Sequence, residues 1–209
     1  MNLPNKITVA RICLIPLVVF FYLASFIPYG KLIATLIFIV ACLTDFLDGK
    51  IARKYNMVTN LGKFLDPIAD KVLVMSGLIL IVATPITANG GNVLPQPAIF
   101  PYYVGIIALI IILARDFIIN AFRQIAATRN IVIAADIYGK IKTTFQMIML
   151  VFYFVYAFII EEFYYAIEGV PNVVLSIIGY VLIVITLAMT IVSAWKYIAN
   201  NRKVLKDAD

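Results

Sequence analysis

Long apolar runs alternate with short polar intervals along the whole chain. The runs lie at residues 12–27, 31–43, 65–83, 102–114, 145–160 and 173–194, and none shows the strict two-residue alternation of a half-buried strand. With its flanks each offers about 20 residues, enough for a helix to cross a hydrocarbon core of roughly 30 Å. In lipid, backbone polar groups must be satisfied within the segment, so helices are expected. The polar positions interrupting the runs are spaced as on helices. Asn5, Thr8 and Arg11 recur every third residue and fall on one face of the first helix. No small-x-small cleavage pattern follows that helix and five further runs do, so it is expected to remain uncleaved. Pro67 removes a backbone donor and disfavours helical geometry at Asp66, so the third helix should begin near this point or bend there. The uncharged Gly/Pro/Asn stretch at 84–101 reads as a loop. The fourth run continues as a cationic helix through Arg115, Asp116, Arg123 and Arg129, and Lys140 and Lys142 precede the fifth.

Composition turns this pattern into a class. The 209 residues are 64% hydrophobic and 13% charged, and the mean hydropathy of +1.02 excludes an ordinary soluble domain. The expected architecture is all-α: a polytopic membrane protein of six transmembrane helices forming a single domain over residues 1–209. The net charge of +6 does not call for nucleic acid. Of the 17 Lys and Arg, all but Lys31 fall at the N-terminus, in the second and fourth connections, or in the C-terminal tail. By the positive-inside rule both termini face the cytoplasm, and Glu161, Glu162 and Glu168 lie on the other side. Cys13 and Cys42 have no metal-ligand spacing and read as small buried apolar side chains. Histidine is absent, so proton transfer falls to Asp, Glu, Lys or Tyr. No internal repeat supports an inverted-repeat transporter.

Against this background the stretch DFLDGKIARKYNMVTNLGKFLDPIADK, residues 45–71, stands apart. An Asp at the centre of a membrane helix costs about 2.5–3.5 kcal/mol, so four uncompensated acids would cost about 10–14 kcal/mol. On a helix Asp45, Asp48, Gly49 and Ala52 share one face, and Gly62, Asp66 and Asp70 repeat the theme at steps of four. Two helices can thus present paired carboxylates to each other across a short connection. Oxygen donors without sulfur or imidazole favour hard cations such as magnesium, manganese or calcium. The plainer alternative is a salt-bridged hairpin in which Lys50, Arg53, Lys54, Lys63 and Lys71 neutralise the acids.

The spelling Asp-x-x-Asp-Gly-x-x-Ala-Arg, eight residues, then Gly-x-x-x-Asp-x-x-x-Asp resembles the signature of the CDP-alcohol phosphatidyltransferases at every fixed position. That resemblance implies transfer of a phosphatidyl group from a CDP-linked lipid to an acceptor alcohol, with release of CMP. It further implies two divalent cations, magnesium or manganese, held by Asp45, Asp48, Asp66 and Asp70, with Asp70 also the general base. Gly49, Ala52, Arg53 and Gly62 are implied at the donor, together with Asn5 and Thr8 of a shorter N-terminal element. A homodimer embedded among membrane lipids is the family's expectation.

NLPNKITVAR, ARDFIINAFRQIAA and GKIKTTFQM are similar to the bacterial branch that makes phosphatidylglycerophosphate from CDP-diacylglycerol and glycerol-3-phosphate. A phosphorylated acceptor needs a cationic pocket, which Arg115, Arg123, Lys140 and Lys142 could provide; Arg115, Arg123 and Lys142 are the candidates, with Asp116 orienting the arginines. The alternative is that these cations only set topology. Rival readings are a cardiolipin synthase or phosphatidylserine synthase of the same fold and, from another class, a divalent-cation transporter.

Overall fold

The computed structural model describes residues 2–54, 60–87, 93–97, 102–128, 137–167 and 170–201. Among them are six helices: α1 Leu3–Leu23, α2 Gly30–Lys54, α3 Asn60–Ala83, α4 Tyr102–Thr128, α5 Ile137–Ile167 and α6 Val170–Asn200. Pro4 starts α1, where a missing N–H is harmless. At its other end the chain reverses within six residues, with Tyr29 in the left-handed region at φ 57°. The turn is tight because position 30 is glycine: a Cβ there would meet the Phe21 carbonyl at 2.7 Å. As a result α1 and α2 pack as an antiparallel pair, and α1 also lies along α3.

The expected loop at 84–101 contains a short antiparallel hairpin, β1 Pro85–Thr87 with β2 Val93–Pro97, in which Pro85 pairs with Pro97 and Thr87 with Val93. It rests on α5 and α3. Pro67 neither starts nor ends α3, which begins at Asn60 and continues through it. Non-helical angles at Phe163 (φ −121°, ψ 17°) interrupt α5 near its C-terminal end.

The core joins α1, α2, α3 and α5, with Ala108 and Ile112 of α4 and Ile183 of α6 packed into it. Phe38 stacks on Phe154 with ring centroids 4.3 Å apart, and Tyr22 meets the same ring edge-on at 5.1 Å. Such aromatic pairs contribute about 0.5–1.5 kcal/mol beyond their area. Gly77 of α3 leaves room for the Phe38 ring, which lies 3.1 Å from where a Cβ would stand, so the ring fits where α2 crosses α5. Thr35 reinforces the crossing by donating to the Phe154 carbonyl. At this end Lys31 Nζ and Glu161 Oε1 form an ion pair at 2.6 Å. A second apolar cluster, Ile119, Phe122, Ala126 and Tyr197, ties α4 to α6.

Outward faces are apolar, with Phe20, Leu36, Ile110, Val184 and Trp195 all exposed. Exposure of this kind suits hydrocarbon, and the chain is a membrane protein. Four helices are long and apolar enough to cross a bilayer, over Asn5–Leu23, Tyr103–Ala126, Ile137–Phe163 and Asn172–Asn200. Over its described side chains α2 contributes a shorter apolar stretch, Gly30–Thr44. Cys13 departs from expectation. It is exposed on the outward face of α1 with Leu17 and Phe20, and Cys42 is only partly buried. A thiol behaves as a small apolar group, so facing lipid carries little cost.

Candidate active site

The polar face of α1 turns inward. Asn5, Thr8 and Arg11 are all buried, and the Thr8 hydroxyl donates to Asp66 Oδ1 at 2.9 Å. Residues 58 positions apart are thereby joined, because α1 and α3 run side by side at the level where the acids begin. Gly62 is buried one turn before Asp66, and Asp70 follows one turn after it, partly buried. Asp45, Asp48, Gly49, Ala52 and Arg53 belong to α2, but their side chains lie outside the described residues. The described part of α2 nearest to them is held against α5, where Cys42 Sγ lies 3.9 Å from Met147 Sδ.

No three Asp, Glu, His or Cys side chains converge among the described residues. The two signature acids that are described nonetheless fit a hard divalent cation. Asp66 and Asp70 offer carboxylate oxygens on successive turns of one helix, and Thr8 fixes the first of them. The other half of that donor set belongs to α2.

Beside Asp70 opens a cleft of about 230 Å³ between α3, α4 and α5. Lys71, Arg115, Arg123 and Lys140 bring positive charge to its walls, against the carboxylates of Asp70 and Asp116. Each arginine is braced from α6. Arg115 Nη2 donates to Ser193 Oγ at 2.9 Å and Nη1 to Asp116 Oδ1 at 3.1 Å. Arg123 Nε donates to Tyr197 Oη at 3.1 Å, with the guanidinium carbon 5.5 Å from the ring centre. These contacts hold two guanidinium groups at one mouth without neutralising both. Arg115 Nε and Asn120 Nδ2 are buried and have no hydrogen-bond partner among the described residues, although both side chains line the cleft. Such orphaned donors are costly unless a ligand answers them.

Arg115 and Arg123 thus line one cavity, whereas Lys142 stands behind its wall. Its ammonium is fully buried and donates to both oxygens of Asp116, at 2.8 and 2.9 Å. The cleft-facing lysine of that pair is Lys140, two residues and about 200° earlier on the helix. Thr143, Asn120, Ser193 and Tyr197 were not singled out by the sequence, and Lys71 was read there only as a partner that could neutralise the acids. Thr143 neighbours a residue that was singled out, while Ser193 and Tyr197 lie in a segment that reads simply as a membrane span.

A smaller pocket of about 30 Å³ adjoins the cleft and shares Asp70, Lys71, Asp116 and Thr143 with it. Its remaining walls are Val74, Met75, Leu113, Phe117, Met147 and one polar side chain, Gln146. An ionic cleft with the Asp70 carboxylate on its wall suits a charged substrate.

Comparison with known proteins points the same way. The family model for CDP-alcohol phosphatidyltransferases matches residues 1–192. A protein of Bacillus subtilis (strain 168) named CDP-diacylglycerol--glycerol-3-phosphate 3-phosphatidyltransferase is 35% identical over 219 aligned residues, covering 100% of this chain and 99% of its own. A Haemophilus influenzae protein of the same name is 40% identical over 71% of this chain and 73% of its own. Another from Shigella flexneri is 32% identical over 99% and 98%. The match runs far beyond the aspartate signature, through α4, α5 and most of α6 where the basic cleft lies, and the chain belongs to the CDP-alcohol phosphatidyltransferase family.

Proposed function

We propose that the protein transfers the phosphatidyl group of CDP-diacylglycerol to glycerol-3-phosphate, forming phosphatidylglycerophosphate and CMP. The observation that carries this reading is the cleft: four cationic side chains and two orphaned donors converge beside Asp70. A doubly ionised phosphate answers them better than serine or a neutral alcohol does. The names of the full-length relatives support the same acceptor.

In this reading Arg115, Arg123 and Lys140 hold the acceptor's phosphate, and Lys142 acts from behind by fixing Asp116. The free primary hydroxyl of the acceptor is thereby directed to Asp70. Asp70 takes the hydroxyl proton as the oxygen bonds to the phosphatidyl phosphorus. The bond from that phosphorus to the CMP oxygen breaks, and CMP leaves with the electron pair. Asn5, Thr8, Gly49, Ala52, Arg53 and Gly62 serve the donor, the glycines and alanine leaving room for the diphosphate and Arg53 supplying fixed charge. Asp45, Asp48, Asp66 and Asp70 would hold two divalent cations, whose chemistry when bound is to neutralise the pyrophosphate charge. The Lys and Arg distribution favours six spans with the site and both termini on the cytoplasmic side.

The test supplies purified protein with CDP-diacylglycerol and, separately, glycerol-3-phosphate, phosphatidylglycerol and serine, and measures CMP release. The expected result is turnover with glycerol-3-phosphate. Turnover with phosphatidylglycerol or serine instead would transfer the chain to another branch of the family.

A further inference from the structure

We infer that Gln146 recognises the secondary hydroxyl of the acceptor, the one that does not react, and so makes the enzyme select a glycerol phosphate over a simpler hydroxyalkyl phosphate. The inference rests on the acceptor reading above and adds to it a specificity-determining residue. Gln146 is 2% exposed, and neither its amide nitrogen nor its amide oxygen has a hydrogen-bond partner among the described residues. A buried amide with both ends unanswered is destabilising, and the apolar walls around it, Val74, Met75, Leu113, Phe117 and Met147, cannot satisfy it. Its position explains why it is kept. The pocket holding Gln146 meets the cationic cleft at Asp70, Asp116 and Thr143, so a molecule with its phosphate in the cleft and its reacting hydroxyl at Asp70 passes this amide.

The chemistry of the amide narrows the ligand group. An amide carries both a donor and an acceptor, and an alcohol answers both, giving its proton to Oε1 and accepting from Nε2. A phosphate or an ester carbonyl only accepts, and would leave Oε1 orphaned. Glycerol-3-phosphate carries one phosphate and two hydroxyls. The first hydroxyl loses its proton to Asp70, and the second requires a neutral partner nearby. Gln146 also sits one helical turn beyond Lys142, whose two hydrogen bonds to Asp116 fix that part of α5. A rigid amide discriminates, since a substrate lacking the hydroxyl leaves the amide buried and unpaired in the complex.

The experiment compares glycerol-3-phosphate with 3-hydroxypropyl phosphate, which lacks only the middle hydroxyl, in the full-length parent and in Gln146→Leu, with CDP-diacylglycerol held constant in vesicles. The parent should prefer glycerol-3-phosphate by about tenfold or more in kcat/KM. In Gln146→Leu that preference should collapse, with the KM for CDP-diacylglycerol unchanged. Thermal stability should be equal or higher, because an unsatisfied amide has been replaced by an apolar group of similar volume. Gln146→Met, of nearly the parent's side-chain length, provides the same comparison should the leucine variant fold poorly. Equal preference in parent and variants, a loss confined to the donor's KM, or lowered stability of both variants each overturns the inference. A parent that ignores glycerol-3-phosphate altogether overturns the acceptor reading itself, an outcome visible before any variant is made.

Discussion

Two ion pairs, each joining a buried lysine to a partly buried carboxylate, mark opposite ends of the helix bundle, and they are built on different principles. Near the α1–α2 turn Lys31 meets Glu161 one to one at 2.6 Å, with Tyr22 beside the ammonium at 5.9 Å. At the other end Asp116 accepts from Lys142 twice and from Arg115 once, and Arg123, Lys140 and Lys71 surround the same space. The first arrangement closes on itself. In the second, cations exceed acids and the arginines lean on uncharged oxygens of Ser193 and Tyr197, so their charge stays available to a ligand. A cancelled pair joins helices, whereas an imbalance braced by neutral partners is how a membrane protein prepares an anion site at tolerable cost.

The contrast can be broken by experiment. The largest effect should come from removing divalent cations: exhaustive EDTA should abolish CMP release, and turnover that survives it would exclude the two-cation reading. Asp70→Asn keeps the shape of the side chain but removes a base, so turnover should fall by about a hundredfold or more with donor affinity far less altered. Activity within a few-fold of the parent would place the base elsewhere. Next in size is the cationic cleft. Arg123→Ala should raise the glycerol-3-phosphate requirement by about tenfold, consistent with one charge-assisted contact, and leave the donor's KM in place. Arg53→Ala should disturb the donor first, and the reverse pattern would reject the division between the two substrates.

At the opposite end turnover per folded molecule should not change at all. Glu161→Leu leaves Lys31 buried without its carboxylate and should lower stability by about 3–5 kcal/mol, while Lys31→Leu combined with Glu161→Leu should recover most of that loss. Thermal unfolding of the two single variants and the double measures the coupling. If the double variant loses catalysis while folded, the Lys31–Glu161 pair is not independent of the site.

The two ends were also unequally legible in the sequence. Apolar runs identified the helices because length and hydropathy suffice for that, and spacing put Asn5 and Thr8 on one face of the first helix and Asp66 on a face of the third. Their meeting was not readable, since nothing in local spacing says that position 8 touches position 66. Lys140 and Lys142 pose the same difficulty in sharper form. Both precede an apolar run, and only the packing of α5 against α4 decides that one lines the cleft while the other is enclosed with Asp116. The hairpin at 85–97 was hidden by its composition, because Gly, Pro and Asn announce a turn without saying whether the flanks pair. Gln146 was visible in GKIKTTFQM, but an amide among apolar residues becomes informative only when its neighbours are known to offer it nothing.

If the two arginines hold the acceptor as proposed, their bracing by Ser193 and Tyr197 gives the last helix a part in substrate choice, although it carries none of the aspartate signature. In a chimaera between relatives with different acceptors, exchanging the signature helices alone would transplant the reactive centre and leave its guanidinium clamp seated against unfamiliar supports. On that reading the transferable unit is α4, α5 and α6 together, since Lys140 of α5 shares the cleft with the two braced arginines.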